Sequence, residues 1–496
     1  MSDLSKPISD APMPGRTVQQ YIDEIPVWPD GTQLAKLPLT GMQLRIWSLA
    51  TAGKFFEGLV VFMTGIALPL IDRSFNLNAA QNGIVTATAL FGILIGATLL
   101  GGLADVFGRK RMFIAEMVIL AIFLIGLTFA QNFVWLIFCL FGIGMALGCD
   151  YPTAHIVISE SVPSRGRGGL VLGAFAFQAV GAIIGAGLGF IVLSYDPSVE
   201  AWRWMFAAAI LPAIAVVGGR FFICDSAHWL MSRGRRDEAA RETHRLLKRE
   251  PQYPKSIELT DHPNASEHHN DRHIAVLFSK KNKRATVLAA VPWFLQDLST
   301  YGIGIFTPVI LAATIGAAGH PHNVPDIIHN VLLSAKGTAF LDILLILGVL
   351  TAILLVEHAG RIQLQIFGFI GCAIGLSLAA ASMDFGGGLK MTLLFGGFML
   401  FNFMTNLGPN AQTYLLAGEV FPTAIRGYGA GFAASFAKIG AVATAFLFPI
   451  LLRTIGTQSL LIILIVASLL GGIVTWMFRI ETRGVLDDVS RTSPAV

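Results

Sequence analysis

Long apolar runs separated by short polar segments dominate the pattern of this chain. About 20 apolar residues suffice to cross a bilayer as a helix. Runs of about that length are predicted at 45–71, 82–104, 112–130, 133–158, 168–194 and 204–224, and again at 286–315, 335–357, 362–382, 391–415, 427–452 and 459–478. The pattern therefore predicts an all-α integral membrane protein with twelve transmembrane helices.

A hydrophilic stretch separates these runs into two sets of six, which predicts five regions. They are an N-terminal tail (1–44), a six-helix bundle (45–224), a central loop (225–285), a second six-helix bundle (286–478) and a C-terminal tail (479–496). Lys and Arg concentrate in alternate loops and in the central loop, which favours a cytoplasmic location for those loops and for both termini. The membrane would be the cytoplasmic (inner) membrane if the source is prokaryotic. The charge spacing of 237–250 predicts a surface helix within the central loop.

Composition supports the membrane assignment and argues against nucleic-acid binding. Of 496 residues, 54% are hydrophobic and only 13% are charged, whereas soluble domains carry about a quarter charged residues. The net charge of +4 does not indicate a nucleic-acid partner, because the basic residues lie in short loops between apolar runs. The bilayer is the expected macromolecular environment, and we expect a monomer.

Two short motifs occur once in each half of the chain. "ESVPSRGRG" begins at residue 160 and "EVFPTAIRG" at residue 419, while "DVFGRKR" (105–111) corresponds to "EHAGRIQ" (357–363). Both pairs place acids and arginines at predicted cytoplasmic helix ends, where we expect salt bridges between the bundles that break and re-form as a gate. The gate residues predicted in this way are Asp105, Arg109, Glu160, Arg167, Glu357, Arg361, Glu419 and Arg426.

These repeats and the "GGLADVFGRKR" loop (101–111) resemble the major facilitator superfamily over nearly the whole chain. That resemblance implies two pseudo-symmetric six-helix bundles around a central site. "GCDYPTAHIVISE" (148–160), "WFLQDLSTYG" (293–302) and "LGPNAQTYLLAGEVFPTAIRG" (407–427) are similar to the proton-coupled phosphate symporters within it. The resemblance implies a set of solute contacts at Tyr151, Gln178, Trp293, Asp297, Tyr301, Asn410 and Lys438, and it matches the acid of the fourth span to Asp150. The first span differs from that family, since "GKFFEGLVVF" (53–62) has Glu57 near the place of an acid and adds Lys54.

The residues themselves also point to a solute and proton site. Trp293, Asp297 and Tyr301 are four residues apart, so they share one face of a helix. An intramembrane carboxyl is costly unless it faces a cavity or can take up a proton, which makes Asp297 the first candidate for proton coupling, followed by Asp150 and Glu57. The alternative for the triad is polar helix packing without a ligand.

Several of these charges have a second interpretation. Asp150 is either a proton carrier or the partner of a nearby cation. Lys438 either binds an anion or pairs with Asp297 or Asp150, and Lys54 and Glu57 can pair with each other at i and i+3.

The sequence lacks the signatures of an enzyme or of an ATP-driven pump. There is no phosphate-binding "GxxxxGK[ST]" loop and no ordered set of metal ligands, so neither a cofactor nor a metal site is expected. We expect a secondary active transporter that moves a small anionic, phosphate-like solute together with protons by alternating access. The alternatives are a proton-coupled transporter of a sugar, organic acid or other organic metabolite, and a non-transporting nutrient receptor.

Overall fold

A computed structural model describes residues 16–25, 39–100, 102–248, 257–259, 274–315, 324–422 and 425–480. Regular structure within these ranges is helical, apart from an isolated β-bridge between Arg16 and Leu259. The predicted tails and central loop therefore lie partly outside the described residues.

The helices follow the predicted runs closely. Those of the first half are α1 (Val18–Asp23), α2 (Gly41–Phe75), α3 (Ala79–Ile95), which continues as a π-helical turn (Gly96–Leu100), α4 (Leu103–Phe107), α5 (Arg109–Thr128), α6 (Phe133–Ser161), α7 (Arg167–Tyr195), α8 (Ala201–Ala207) and α9 (Ile210–Phe221). Those of the connecting segment are α10 (Ala227–Ser232), α11 (Arg236–Leu247) and α12 (Ile274–Leu277). The second half has α13 (Lys283–Ile315), α14 (Val324–Ala359), α15 (Arg361–Ala381), a 3₁₀ turn (Ser382–Asp384), α16 (Gly387–Leu407), α17 (Pro409–Glu419) and α18 (Arg426–Phe478).

The described residues contain eleven candidate membrane spans, and the last of them accounts for two predicted runs. Helix α18 has 53 residues, which corresponds to about 80 Å, more than twice the hydrocarbon thickness of a bilayer. Gly456 interrupts it with φ 77° and ψ 170°. A positive φ is readily adopted by glycine, so the chain bends there and the two parts match the runs predicted at 427–452 and 459–478.

Polar residues at the ends of the apolar runs begin several helices. The Thr40 side chain accepts a hydrogen bond from the Gln43 backbone N–H and the Gln43 side chain accepts one from the Thr40 N–H, which forms a capping box at the start of α2. Asn78 and Gln81 form the same arrangement at the start of α3. These pairs satisfy backbone donors that the first helical turn leaves free.

The two halves pack internally and against each other. In the first half α2 packs on α7 and α3 on α6, and in the second half α13 packs on α18 and α15 on α16. Helices α3 and α18, and α7 and α14, join the halves. Phe306 of α13 stacks on Phe448 of α18 with ring centroids 4.3 Å apart, within an apolar core that contains residues of both halves.

Short helices cover one end of the first half, which we call the loop end. Helix α11 lies where the sequence predicts a surface helix, and Ala239, Leu246 and Leu247 on it are buried. Helix α1 packs against it through Val18 and Ile22. The Asp23 carboxylate accepts hydrogen bonds from the Ser164 backbone N–H (2.7 Å) and hydroxyl (2.8 Å) in the α6–α7 loop. The segment before the first span is thus held on the folded body at two places.

Candidate functional site

A small cavity between the two halves is lined by every residue that the sequence predicts as a solute contact. Tyr151 comes from α6, Gln178 from α7, Trp293, Asp297 and Tyr301 from α13, Asn410 from α17 and Lys438 from α18. Lys54 of α2 and Phe175 of α7 complete the polar and aromatic part of the lining. The structure therefore brings these side chains together, and we call this space the central cavity.

Helix α13 places its three predicted residues on one face, as the four-residue spacing requires. Trp293, Asp297 and Tyr301 are each no more than 5% exposed. The Asp297 Oδ2 atom lies 3.4 Å from Lys438 Nζ, yet it accepts no hydrogen bond from the described residues. The carboxylate is thus held by charge with one oxygen left for a further donor.

Four charged groups from the three helices α2, α13 and α18 meet beside the cavity, and we call Lys54, Glu57, Asp297 and Lys438 the charge cluster. Lys54 Nζ lies 2.5 Å from Glu57 Oε2. Lys438 Nζ lies 3.3 Å from Glu57 Oε1 and 3.4 Å from Asp297 Oδ2. The predicted pairing of Lys54 with Glu57 is present, but Glu57 also contacts a lysine of the other half, so this pair does not stand alone.

The Tyr301 hydroxyl links the charge cluster to a neutral donor. It accepts hydrogen bonds from Lys438 Nζ (2.6 Å) and from Gln178 Nε2 (3.1 Å). It donates to Glu57 Oε1 at 2.6 Å. The phenol therefore bridges the Glu57 carboxylate of the first half and the Lys438 ammonium of the second.

Asn410 is fixed by its own half. Its Oδ1 accepts from Gln296 Nε2 at 3.0 Å and its Nδ2 donates to Asn406 Oδ1 at 2.6 Å. Helix α17 begins beside it after Gly408, where φ −111° and ψ −98° interrupt the span predicted at 391–415. Because of this break, Asn410 lies in the first turn of a new helix at the cavity wall.

Aromatic rings cover the cavity and include one residue that sequence reasoning missed. Tyr414 stacks on Phe175 at 5.0 Å and contacts the rings of Tyr151 at 6.0 Å and Trp293 at 6.1 Å. It lies four residues after Asn410 and therefore on the same face of α17, a spacing from which it could have been found. Lys54 Nζ lies 4.2 Å from the centroid of the Tyr151 ring, a favourable cation–π distance.

Asp150 lies outside the charge cluster, in an ion pair with a cation that sequence reasoning overlooked. Arg220 Nη1 of α9 lies 2.5 Å from Asp150 Oδ1, and the two side chains are 0% and 1% exposed. Arg220 also donates to the carbonyl oxygens of Phe113 and Leu49. An arginine inside the apolar run 204–224 was the available signal. Of the two interpretations of Asp150, the structure supplies the cation partner.

The predicted gate residues form pairs within a half. Arg109 lies 2.5 Å from Asp105 and 3.5 Å from Glu160, all in the first half. Arg361 lies 3.1 Å from Glu419, both in the second half. These pairs of described residues link elements of one half, whereas the sequence led us to expect pairs between the halves.

Three further gate residues were predicted, and the side chains of two of them lie outside the described part of the chain. Arg167 donates to the Val162 carbonyl and the Ser164 hydroxyl, which belong to its own half. The side chains of Glu357 and Arg426 lie outside the described residues.

Comparison with known proteins identifies the family. The chain matches the family described as "Sugar (and other) transporter" over residues 46–487. The chain belongs to this family. It is 30% identical over 457 residues to the inner membrane metabolite transport protein YgcS of Escherichia coli (strain K12), covering 90% of this chain and 94% of that protein.

Further relatives of this transporter differ in the solute that their names state. It is 24% identical over 513 residues to the putative inorganic phosphate transporter C8E4.01c of Schizosaccharomyces pombe, covering 90% of this chain and 88% of that one. The structure of the xylose transporter XylE from E. coli, in a partially occluded inward-open conformation, matches with a TM-score of 0.70 at 19% identity, covering 90% and 99% of the two chains. The protein is therefore a multi-pass secondary transporter of metabolites with the major facilitator fold, and not an enzyme.

Proposed function

We propose that this transporter moves a small anion together with protons by alternating access through the central cavity. The observation that carries the proposal is the position of Lys438, whose ammonium lies within 3.4 Å of both Glu57 and Asp297. A lysine inside the membrane needs a counter-charge or an anionic ligand. Here it has two carboxylates, so a proton on one of them would release the ammonium towards a solute.

Asp297 is the proposed proton carrier because one of its oxygens has no hydrogen-bond donor. When it is charged, Asp297 holds Lys438 within 3.4 Å. When it is protonated, it loses that attraction, and a negatively charged solute replaces it. When the solute leaves on the other side of the membrane, Asp297 releases its proton there and forms the ion pair with Lys438 again. The flux of the solute is thereby linked to the flux of protons.

Inorganic phosphate is the first solute to test. The chain resembles phosphate symporters in three segments, and one relative is named as a putative phosphate transporter. The alternative is a sugar or an organic metabolite, since the family includes sugar transporters and since the amides of Gln178 and Asn410 suit hydroxyl groups as well as anions.

The surrounding regions have proposed roles that follow from charge. The loop end would face the cytoplasm because lysines and arginines concentrate in its loops. The ion pairs of Arg109 with Glu160 and of Arg361 with Glu419 would brace each half as the halves rock against each other. A monomer contains the whole cavity, so no second copy is required.

Radiolabelled phosphate uptake into proteoliposomes under an imposed inward proton gradient tests this proposal. We expect gradient-driven accumulation in the wild type and its loss, by about tenfold or more, in Asp297→Asn. Asp384→Asn is the matched control, because it makes the same chemical change at a residue that accepts hydrogen bonds from Gln458 and does not line the central cavity.

The outcomes separate the parts of the proposal. Accumulation that persists in Asp297→Asn would remove Asp297 as the proton carrier. If the wild type accumulates no anion from a panel of phosphate and organic acids but accumulates a sugar, the anion proposal is wrong and Lys438 is a structural counter-ion.

A further inference from the structure

The Glu57 carboxylate occupies a complete set of anion donors. Its Oε2 atom contacts Lys54 Nζ at 2.5 Å. Its Oε1 atom accepts from Tyr301 Oη at 2.6 Å and lies 3.3 Å from Lys438 Nζ. Gln178 Nε2 adds a longer contact of 3.5 Å to the same oxygen. Each oxygen of this one carboxylate therefore has its own ammonium, and we call the four donors Lys54, Lys438, Tyr301 and Gln178 the carboxylate cradle.

The donors of the cradle line the central cavity, whereas Glu57 lines the cavity next to it. All four donors line the central cavity. Glu57 instead lines a neighbouring cavity together with Asp150, His155 and Tyr414. The donors thus lie where a solute could reach them, and at present they contact the Glu57 carboxylate of the chain itself.

The charges of the cluster balance only while Glu57 is ionised. Two ammoniums then stand against the carboxylates of Glu57 and Asp297. A proton on Glu57 leaves two positive charges against one negative charge, in a buried place where an unpaired charge is costly. One further carboxylate in the cradle restores the balance.

We propose that the central cavity is a carboxylate-exchange site, in which a proton on Glu57 frees the cradle and the carboxylate of an organic acid takes its place. One proton enters with each carboxylate, so the net charge of the site is unchanged by the exchange. The cradle already holds a planar group with two oxygens, one beside each lysine. The rings of Tyr151, Phe175 and Trp293 line the same space, which suits the flat apolar body of an aromatic acid.

This inference rests on the proposed proton-coupled anion transport, narrows its solute to a class, and assigns the proton taken up during binding to Glu57 instead of Asp297. A phosphate group is tetrahedral and carries up to two charges near neutral pH, whereas the group now in the cradle is planar and carries one. The two solutes therefore differ in shape and in the number of protons that must accompany them.

The titratable groups that face Glu57 come from five helices. They are Lys54 on its own helix α2, Asp150, Tyr151 and His155 on α6, Asp297 and Tyr301 on α13, Tyr414 on α17 and Lys438 on α18, while the facing residue of α7 is the neutral Gln178. The ammoniums and phenols already hold their protons, so the carboxyls and the His155 imidazole are the groups that can take one up. Asp297, Asp150 and His155 are the competitors that an experiment must separate from Glu57.

Binding of benzoate to the purified full-length protein, measured by calorimetry between pH 5.5 and 8.5, tests the exchange. If one proton must bind with each benzoate, affinity falls by about tenfold per pH unit at the alkaline side of the range. We expect Glu57→Gln to keep benzoate binding and to lose this slope, because glutamine copies the protonated acid. Loss of the slope in Asp297→Asn, with the slope kept in Glu57→Gln, would place the bound proton on Asp297 and overturn the exchange. Glu200→Gln, the same change at an exposed residue paired with Arg203, should behave as the wild type.

A second variant covers the case in which Glu57→Gln does not fold. Lys54→Gln removes one ammonium of the cradle but leaves Glu57 in place, so benzoate should bind at least tenfold more weakly with its pH slope intact. Benzamide, which has the same ring and no charge, should not compete. A slope that persists in Glu57→Gln, or equal binding of benzamide and benzoate, would overturn the exchange.

Inorganic phosphate in the same assay separates this inference from the proposed function. Phosphate binding that no carboxylate displaces, together with proton-driven phosphate uptake, would overturn the carboxylate class and leave anion symport standing. If the protein binds neither phosphate nor any carboxylate and takes up a sugar, both the carboxylate exchange and the proposed anion symport are wrong.

Discussion

Arg220 has no exposed side-chain surface, and Asp150 supplies a charge 2.5 Å away. Removing one partner of a buried ion pair leaves the other charge uncompensated, which typically costs 3–5 kcal/mol. We therefore expect Asp150→Asn to lower the free energy of unfolding by roughly that amount, measured as a shift in thermal unfolding of the detergent-solubilised protein.

The double variant Asp150→Asn with Arg220→Gln supplies the control for this residue. Because it removes both charges, it should recover a large part of the lost stability. If Asp150→Asn alone abolishes transport and leaves the stability unchanged, the structural role of its ion pair with Arg220 is wrong. Asp150 would then again be a candidate proton carrier.

At the residue scale, the sequence predicts which side chains share one face of a single helix. The spacing of Trp293, Asp297 and Tyr301 determines their common orientation because all three belong to α13. The partner of Asp150 is 70 residues away on a different helix, and no local pattern records which helices become neighbours. The resemblance to a family, which carries that three-dimensional information, is what brought residues from five helices into one predicted site.

At the scale of elements, α2 and α13 approach so closely beyond the cavity that backbone meets backbone. A Cβ atom on Gly65 would lie 1.8 Å from the Ile305 carbonyl oxygen, and one on Gly304 would lie 2.1 Å from the Phe62 ring. We expect Gly65→Ala to fold but to prevent the two halves from closing at this end. Proton-driven uptake should then fall by at least tenfold, while the protein still elutes as a single species in size-exclusion chromatography.

Gly187→Ala is the matched control for this contact. Gly187 lies within α7, and a Cβ atom there would meet nothing within 4 Å. Alanine is also favoured over glycine inside a helix by about 1 kcal/mol, so this variant should transport normally and unfold at the same or a higher temperature. Normal uptake by Gly65→Ala would show that the close contact is not needed for the transport cycle.

Hydrophobic runs predict the number of membrane-spanning helices, but they do not predict where those helices bend. The span predicted at 391–415 is divided at Gly408, and the runs predicted at 427–452 and 459–478 join through Gly456. Hydropathy measures length and polarity, whereas these bends depend on backbone angles. At Gly408 the neighbouring helix is decisive, since a Cβ atom there would lie 2.5 Å from the Leu364 carbonyl oxygen.

At the scale of the whole molecule, Tyr414 is a residue of the second half whose ring contacts residues of the first half. Its ring packs on Phe175 and Tyr151 of the first half and on Trp293 of its own half. It also lines the cavity that contains Glu57 and Asp150. Removing this ring in Tyr414→Ala would enlarge that cavity and break the aromatic contact between the halves.

We expect Tyr414→Ala to exchange solute across the membrane without accumulating it. Accumulation under a proton gradient should fall by about tenfold, while counterflow between two pools of the same solute continues, both measured in proteoliposomes. Tyr414→Phe keeps the ring contacts and should accumulate solute nearly as the wild type does. If the alanine variant accumulates as well as the wild type, the ring does not couple the halves.

The repeats at 160 and 419 indicated a duplicated chain but not how its charges would pair. Arg109 lies beside Glu160, 51 residues away, because α5 and α6 are neighbours in the bundle. Which acid an arginine meets is decided by the arrangement of helix ends. A motif repeated in both halves therefore predicts similar positions in the two halves, and it leaves open whether a pair lies within a half or across the interface.

The anchored segment ahead of the first span has a consequence for biosynthesis. Asp23 leaves the ribosome 141 residues before its partner Ser164, a delay on the order of 10 s at ordinary rates of translation. Helix α1 is therefore made first but can dock only after four spans have entered the membrane, and it reaches α11 later still. Its attachment is a late event in assembly, so damage to it should spare membrane insertion and appear as incomplete maturation.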